Sequence, residues 1–170
     1  MAIKINAENI SKETMFLVPP SQIKTELNGR FAPHDDEDVQ KMLKSFRDKG
    51  QLQPILVRKL SDHTLTLVAG FRRHAAGLLY SAEQPEFKLK CILFVGNDEE
   101  AFKANIEENI ERKALNPMDL AFQVRVWKER FGKKDKEIAK IYGFTPPYIS
   151  QIKKLLNLST DIQDKVRLGI

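Results

Sequence analysis

Three groups of residues could do chemistry beyond packing. The first is Gly70-Phe71-Arg72-Arg73, which follows the apolar run Thr64 to Ala69 and opens a helical pattern. A helix start presents unpaired backbone N–H groups and the positive end of the helix dipole. Two guanidinium groups at such a point make an anion site, suited to phosphate by their fork of donors. Two arginines on a solvated surface helix would read the same, and the residues alone leave both readings open. The second group is Glu108-Asn109, at the polar end of another helical pattern. These two could hold a divalent cation or a ligand, or simply end a solvated helix. The third is Lys134 to Leu158, where Ala139, Gly143, Ile149 and Ile152 fall at the spacing of a helix-turn-helix. A small residue sits where two helices cross, a glycine at the turn, and two aliphatics on the inner face of the second helix.

That third pattern leaves Thr145, Pro147, Tyr148, Ser150, Gln151, Lys153 and Lys154 facing outward. The early residues of a recognition helix reach base edges and the later ones more often reach phosphate. Thr145, Tyr148, Ser150 and Gln151 are therefore assigned to bases or the nearby backbone, with Pro147 beside them. Lys153 and Lys154 are assigned to phosphates. Gln151 is the foremost candidate for a base contact, because a carboxamide pairs with adenine through two hydrogen bonds.

The elements that must position these groups follow from periodicity. Met15 to Val18, Pro54 to Lys59, Thr64 to Ala69 and Phe87 to Val95 read as strands, the middle two joined as a hairpin around Ser61-Asp62-His63. Ser21 to Glu26 reads as one helical turn, and Leu27 to Phe31 as a turn signalled by Asn28-Gly29. Helices are predicted from Asp35 to Lys49, with Val39, Met42, Leu43 and Phe46 inward, and from Phe71 to about Ser81, with Ala75, Leu78 and Leu79 inward. A third runs from Asp98 to about Ile110 with Phe102, Ile106 and Ile110 on one face. The acids Asp35 to Asp38 suit a helix N-terminus and are not needed as a metal site. Asn116-Pro117 opens a helix to Phe131 that buries Leu120, Ala121, Val124 and Trp127. Asp135 to Tyr142, a second helix capped by Thr145 with Ile149, Ile152 and Leu156 inward, and Thr160 to Leu168 complete the chain. The expected fold class is an α+β amino-terminal domain, a small mixed sheet with helices, followed by an all-α helix-turn-helix domain. Residues 1–14 are read as a flexible arm, 15–112 as the first domain and 113–170 as the second, possessing no closing element after its last short helix.

Composition narrows the classes. The chain of 170 residues has 42% hydrophobic and 30% charged residues, which suits a globular protein. It holds no apolar run long enough for a membrane span and no secretory signal at its start. Cys91, the single cysteine, lies in an apolar run and excludes an intrachain disulfide. These features suit a reducing cytoplasm. The net charge of +5 is uneven: residues 112–170 carry 13 Lys and Arg against 6 Asp and Glu, residues 1–111 carry 15 against 17. The positive charge belongs to the part with the helix-turn-helix pattern, where phosphate neutralisation needs it.

Three boxes resemble those of the ParB family of chromosome and plasmid partition proteins, including the Noc and KorB-like regulators. Gly50-Gln51-Leu52-Gln53-Pro54-Ile55 resembles G-x-LQPI. Leu67-Val68-Ala69-Gly70-Phe71-Arg72-Arg73-His74-Ala75-Ala76 resembles LVAGERRxRAA. Glu108 to Pro117 resembles ENIQRxxLNP. The resemblance runs from about Phe16 to Ile170. It implies a first domain of the fold that ParB shares with sulfiredoxin, binding CTP with magnesium. It also implies two first domains engaging as a homodimeric clamp on a palindromic DNA site. Slow CTP hydrolysis or release would then reopen the clamp. Carried over by position, Gly70, Arg72 and Arg73 would hold the triphosphate, and Gln51 to Gln53 would lie near the base. Glu108 and Asn109 would lie near the metal and phosphates, followed by Arg112, and Arg30 matches the arginine of the family's first box. A ParA-like ATPase as partner and a nucleoid- or plasmid-associated place in the cytoplasm are implied in the same way.

Two departures stand out. Phe71 replaces the carboxylate of GERR, and Asn28-Gly29-Arg30 replaces QPR with its glutamine. An apolar ring orders neither a metal nor a water, so the arginines point to nucleotide binding while the reading for hydrolysis is weak. A transcriptional regulator that binds DNA without nucleotide is the alternative within the family. Sulfiredoxin chemistry needs a cysteine at the glycine–helix joint, where this chain has Phe71-Arg72-Arg73. A nuclease needs clustered acids for two metals, and no acidic cluster of this sequence is placed for that chemistry.

Overall fold

The computed structural model describes residues 14–26, 36–110 and 115–170, with the side chains of residues 108–110 left aside. The expected arm up to residue 13, the turn with Asn28 and Arg30, and Arg112 lie outside the described residues. The described chain divides into two compact units, with the division between Glu108 and Asn109.

The first unit is a mixed α/β fold. Its strands are β1 (Met15–Val18), β2 (Ile23–Lys24), β3 (Ile55–Lys59), β4 (Leu65–Ala69) and β5 (Leu89–Leu93), and its helices α1 (Asp36–Lys49), α2 (Phe71–Glu83) and α3 (Asp98–Ile110). The sheet order is β1-β5-β3-β4-β2. The β1–β5 and β3–β4 pairs are antiparallel, whereas β3–β5 and β2–β4 are parallel. Alternation along the strands sorts side chains onto two faces. Ile55, Val57, Leu65 and Leu67 join Val39, Leu43 and Phe46 of α1 and Ala76 of α2 in the main core. Leu56 and Val68 face the other way and meet Ala101 and Ala104 of α3. Helices thus cover both faces. Phe46, Tyr80 and Phe87 close one end of the main core as an aromatic trio, with Tyr80 and Phe87 edge-on at 4.8 Å.

Cys91 is fully buried, and burial pushes its thiol up to about 12. The hairpin at residues 61–63 forms as expected from its sequence. Asp62 Oδ1 accepts from the Thr64 backbone N–H at 3.0 Å and from its hydroxyl at 2.6 Å, and His63 takes a left-handed φ of 64°.

Three sequence expectations change in the first unit. Ser21 to Glu26 does not form a helical turn throughout: a 3-10 turn at Pro20–Gln22 passes straight into β2. The β5 strand is shorter than Phe87 to Val95. On α2 the inward residues are His74, Ala76 and Gly77, while Leu78 and Leu79 are 41% and 42% exposed. The cause is the close approach at Gly77, where a Cβ would lie 2.9 Å from Leu89 Cδ2. The helix rotates to bring its smallest face onto the sheet, and aliphatic periodicity alone points to the wrong face.

The second unit is all-helical: α4 (Pro117–Glu129), α5 (Asp135–Tyr142), α6 (Pro146–Ile152), a 3-10 turn at Lys153–Asn157 and α7 (Thr160–Leu168). Asn116 caps α4 by accepting from Met118 N–H at 2.9 Å, and its amide donates to the Arg167 carbonyl at 2.7 Å. Leu120, Ala121, Val124 and Trp127 are buried as the spacing predicts. Tyr142 hydroxyl donates to Gln123 Oε1 at 2.8 Å and accepts from Trp127 Nε1 at 3.1 Å, tying α5 to α4. Burial raises the Tyr142 phenol well above its ordinary value. The second helix of the pair is shorter than expected, because α6 ends at Ile152 and Leu156 sits half-buried on the 3-10 turn. Gln163 Nε2 holds that turn by donating to the carbonyls of Leu156 and Leu158 at 2.9 and 3.0 Å.

Candidate functional site

The first site is built where β4 hands the chain to α2. One residue, Gly70, makes the joint, with φ 97° and ψ 33°. That left-handed conformation favours glycine, and a Cβ there would lie 2.7 Å from Ile55 Cγ2. Just before the joint, the β3–β4 register shifts between Leu56 and Val57, an irregularity that re-aims the strand ends. Asn105 of α3, fully buried, donates to the Val68 carbonyl at 3.0 Å and fixes the end of β4 from the other face. The joint is therefore held from both sides of the sheet.

α2 leaves the joint with no side-chain cap and no acidic residue in its first turn. Phe71 turns its ring partly into the main core, and Arg72 and Arg73 flank the helix start half-buried. Arg72 Nη1 pairs with Asp38 Oδ2 at 3.1 Å, which brings the acidic start of α1 beside the start of α2. Arg73 donates to the carbonyls of Pro54 and Gln53. The loop 51–54 is thereby drawn to the same place. Gln51 is only 4% exposed. Its Nε2 donates to the Gln53 and Lys90 carbonyls, both at 2.9 Å, and its Oε1 accepts from Lys90 N–H at 2.6 Å. The Gln51 side chain thus shapes the loop, whereas Leu52 and Gln53 are exposed on it. Behind the helix start, His74 Nε2 lies 2.9 Å from the Pro20 carbonyl, and burial lowers its pKa, leaving a neutral ring that donates to that oxygen.

Gly70, Arg72, Arg73, Gln51 and Gln53, singled out from sequence, therefore gather at one place. Helix-start N–H groups and two guanidiniums fit a polyanion such as a triphosphate. One competitor is already present, since Asp38 engages Arg72. Asp38 was not among the sequence candidates; its acidic neighbours hid it in an ordinary helix start. Glu108 and Asn109 lie on the last turn of α3, their side chains outside what is described. Among the described residues no group of three or more His, Cys, Asp or Glu could hold a metal ion.

The second site is the outer face of α6. Ala139, Ile149 and Ile152 are buried, and Gly143 ends α5 with φ 72°. Phe144 N–H donates to the Ala139 carbonyl at 2.9 Å, closing the turn. Thr145 stands at the cap position of α6, but its side chain makes no capping bond. Thr145, Pro147, Tyr148, Gln151 and Lys154 are exposed, and Ser150 and Lys153 are half-exposed. Lys153 and Lys154 stand on the 3-10 turn that continues α6. Sequence reasoning missed Phe144, which lies exposed against Tyr148 with ring centroids 4.8 Å apart. Phe144 lies in the turn before α6, outside any helix, so helical spacing gave no signal for its contact with Tyr148. Among the described residues no helix is long and apolar enough to cross a membrane.

An α/β unit whose β4 passes through Gly70 into a helix flanked by two arginines, followed by a basic all-helical unit, defines the class. The chain belongs to the ParB family: the model for the ParB N-terminal domain matches residues 4–110. It is 32% identical over 137 residues to the chromosome-partitioning protein ParB of Caulobacter vibrioides, covering 79% of this chain and 43% of that protein. It is 29% identical over 161 residues to the probable chromosome-partitioning protein ParB of Neisseria meningitidis, covering 93% of this chain and 54% of that protein. The chain thus spans about half the length of the curated relatives it matches. Among solved structures it is similar to C-terminally truncated ParB of Caulobacter crescentus complexed with CTP-γ-S. That match has 25% identity and a TM-score of 0.50, covering 92% of this chain and 86% of that one. The same truncated protein complexed to the centromeric parS site matches at 24% identity and a TM-score of 0.52, covering 91% and 78%. The second match carries the fold.

Proposed function

We propose that this chain is a CTP- and magnesium-responsive DNA clamp of ParB type, acting in the segregation of a chromosome or plasmid. The observation that carries the reading is the Gly70 joint, where the α2 start, Arg72, Arg73 and the loop 51–54 converge. In this reading Gly70, Arg72 and Arg73 hold the triphosphate. Gln53, with Gln51 shaping its loop, lies at the base. Glu108 and Asn109 are assigned to magnesium, which would supply charge neutralisation, and Arg30 and Arg112 are assigned to the nucleotide by their place in the family boxes. The second domain of the sequence reading, residues 113–170, is a helix-turn-helix domain. Its Thr145, Pro147, Tyr148, Ser150 and Gln151 meet bases or nearby backbone, and Lys153 and Lys154 meet phosphates. Two copies engage through their first units around a palindromic duplex, and a ParA-like ATPase is the expected partner. The place of action is the nucleoid or a plasmid in the cytoplasm.

Two observations favour a second reading, a regulator that binds DNA without nucleotide. Arg72 already has a carboxylate partner in Asp38, and Phe71 gives its ring to the core instead of a carboxylate to the site. Calorimetric titration of the chain with CTP and Mg²⁺ separates the two. Clamp function predicts saturable heat with CTP, little with ATP, and its loss in Arg72→Ala. No heat with any nucleotide assigns the chain to the second reading. Crosslinking between first units, with and without CTP and cognate duplex, then tests closure directly.

A further inference from the structure

We infer that Phe144 and Tyr148 form an apolar reader of a pyrimidine C5-methyl group, so that the chain's DNA site contains a thymine recognised by its methyl alone. The inference rests on the helix-turn-helix reading of the second unit and deepens it. Phe144 closes the turn after Gly143, and Tyr148 lies on the first turn of α6. The rings are 40% and 39% exposed although they touch at 4.8 Å with a 50° tilt. Two large rings held against each other and still open to solvent leave one apolar surface at the start of the helix. Gln151 follows Tyr148 at i+3, on the same helical face and also exposed.

The surroundings select nucleic acid as the occupant. Residues 138–160 contain no Asp or Glu, while Lys140, Lys153 and Lys154 lie within them. An apolar patch whose own stretch of chain carries lysines and no acid, on a basic unit, complements a groove walled by phosphates. Inside the major groove the one apolar group on a base edge is the thymine methyl. Gln151 next to the rings would pair with an adenine edge, which places the methyl contact and the amide contact on neighbouring base pairs.

The experiment starts from duplexes selected for binding from a randomised library by the intact chain. Each thymine of the winning duplex is then replaced by deoxyuridine, which removes one methyl group and nothing else. The expected result is a position, once in each half-site, where replacement weakens binding about fourfold, the worth of burying one methyl group. In Phe144→Ala and Tyr148→Ala the thymine and deoxyuridine duplexes should bind alike, with a cooperative thermal transition showing that each variant is folded. Equal binding of every deoxyuridine duplex by the parent overturns the inference and leaves specific DNA binding standing. So does a methyl dependence that survives in both ring variants, because another residue then reads it. Failure to select any preferred duplex removes the helix-turn-helix reading together with this one.

Discussion

At the scale of single residues, burial decides what the titratable groups of the first unit can do. Cys91 lies on β5 inside the main core, and desolvation pushes its thiol to about 12. A thiolate is the reactive form, so a thiol reagent such as dithionitrobenzoate should leave Cys91 untouched in the native chain and label it fully in denaturant. Rapid labelling of the native chain would contradict the core placement. His74 titrates in the opposite direction for the same reason. Burial disfavours its charged form more strongly than the Pro20 carbonyl favours it, so its folded pKa is below the ordinary 6.5. Below about pH 6.5 the unfolded chain gains a proton that the folded chain refuses, so stability present above that pH is lost as pH falls towards the folded pKa. Urea midpoints of the parent should therefore decline on acidification, and His74→Gln, which keeps an amide donor for Pro20 without titrating, should show a shallower decline. Parallel pH profiles would mean that other groups dominate acid unfolding.

At the scale of elements, the first site depends on one strand–glycine–helix joint more than on any side chain. Gly70→Ala forces a residue with a Cβ into φ 97° and drives that Cβ against Ile55, itself buried on β3. The combined strain and overpacking should cost about 2–4 kcal/mol, measured by urea unfolding, and should disturb the α2 start without touching Arg72 or Arg73. A near-neutral result would mean that the joint relaxes freely. The joint was legible in the sequence, because an apolar run, a glycine and two arginines are local signals. So were the Asn116 cap and the Gly143 turn of the second unit, which act through their own backbone neighbours, whereas Thr145 takes its expected cap position without the capping bond. What the sequence hid was relational. The inward face of α2 is set by Gly77 pressing on Leu89, a contact made across the fold rather than along the helix. Gln51 reads, by its family box, as a residue near a nucleotide base, yet its amide is spent on Lys90, whose backbone comes from β5. Asp38 stood among four acids that the α1 dipole already explained, and only packing of α1 on α2 brings it to Arg72.

At the scale of the molecule, charge and the two units divide the work. Residues 112–170 hold a +7 excess, and the rest of the chain is close to neutral at −2. A polyanion as long as duplex DNA is attracted by such a surface whatever its sequence, through release of condensed counterions. In the proposed reading, sequence preference comes from the shorter list of groups on the α6 face. Lys153 and Lys154 stand where α6 becomes a 3-10 turn, past the residues that lead the helix. Each lysine that neutralises one phosphate should contribute about 0.9 to the slope of log K against log salt. Lys153→Ala and Lys154→Ala should therefore each flatten that slope by about this amount and weaken selected and random duplexes alike. Gln151→Ala should leave the slope unchanged and lower affinity for the selected duplex alone, by about 1–3 kcal/mol if its amide pairs with adenine. Fluorescence anisotropy over a range of salt concentrations distinguishes the two classes. A lysine variant that lowers only specific binding, or a Gln151 variant that changes the slope, would exchange their roles and move the base-reading surface past the end of α6.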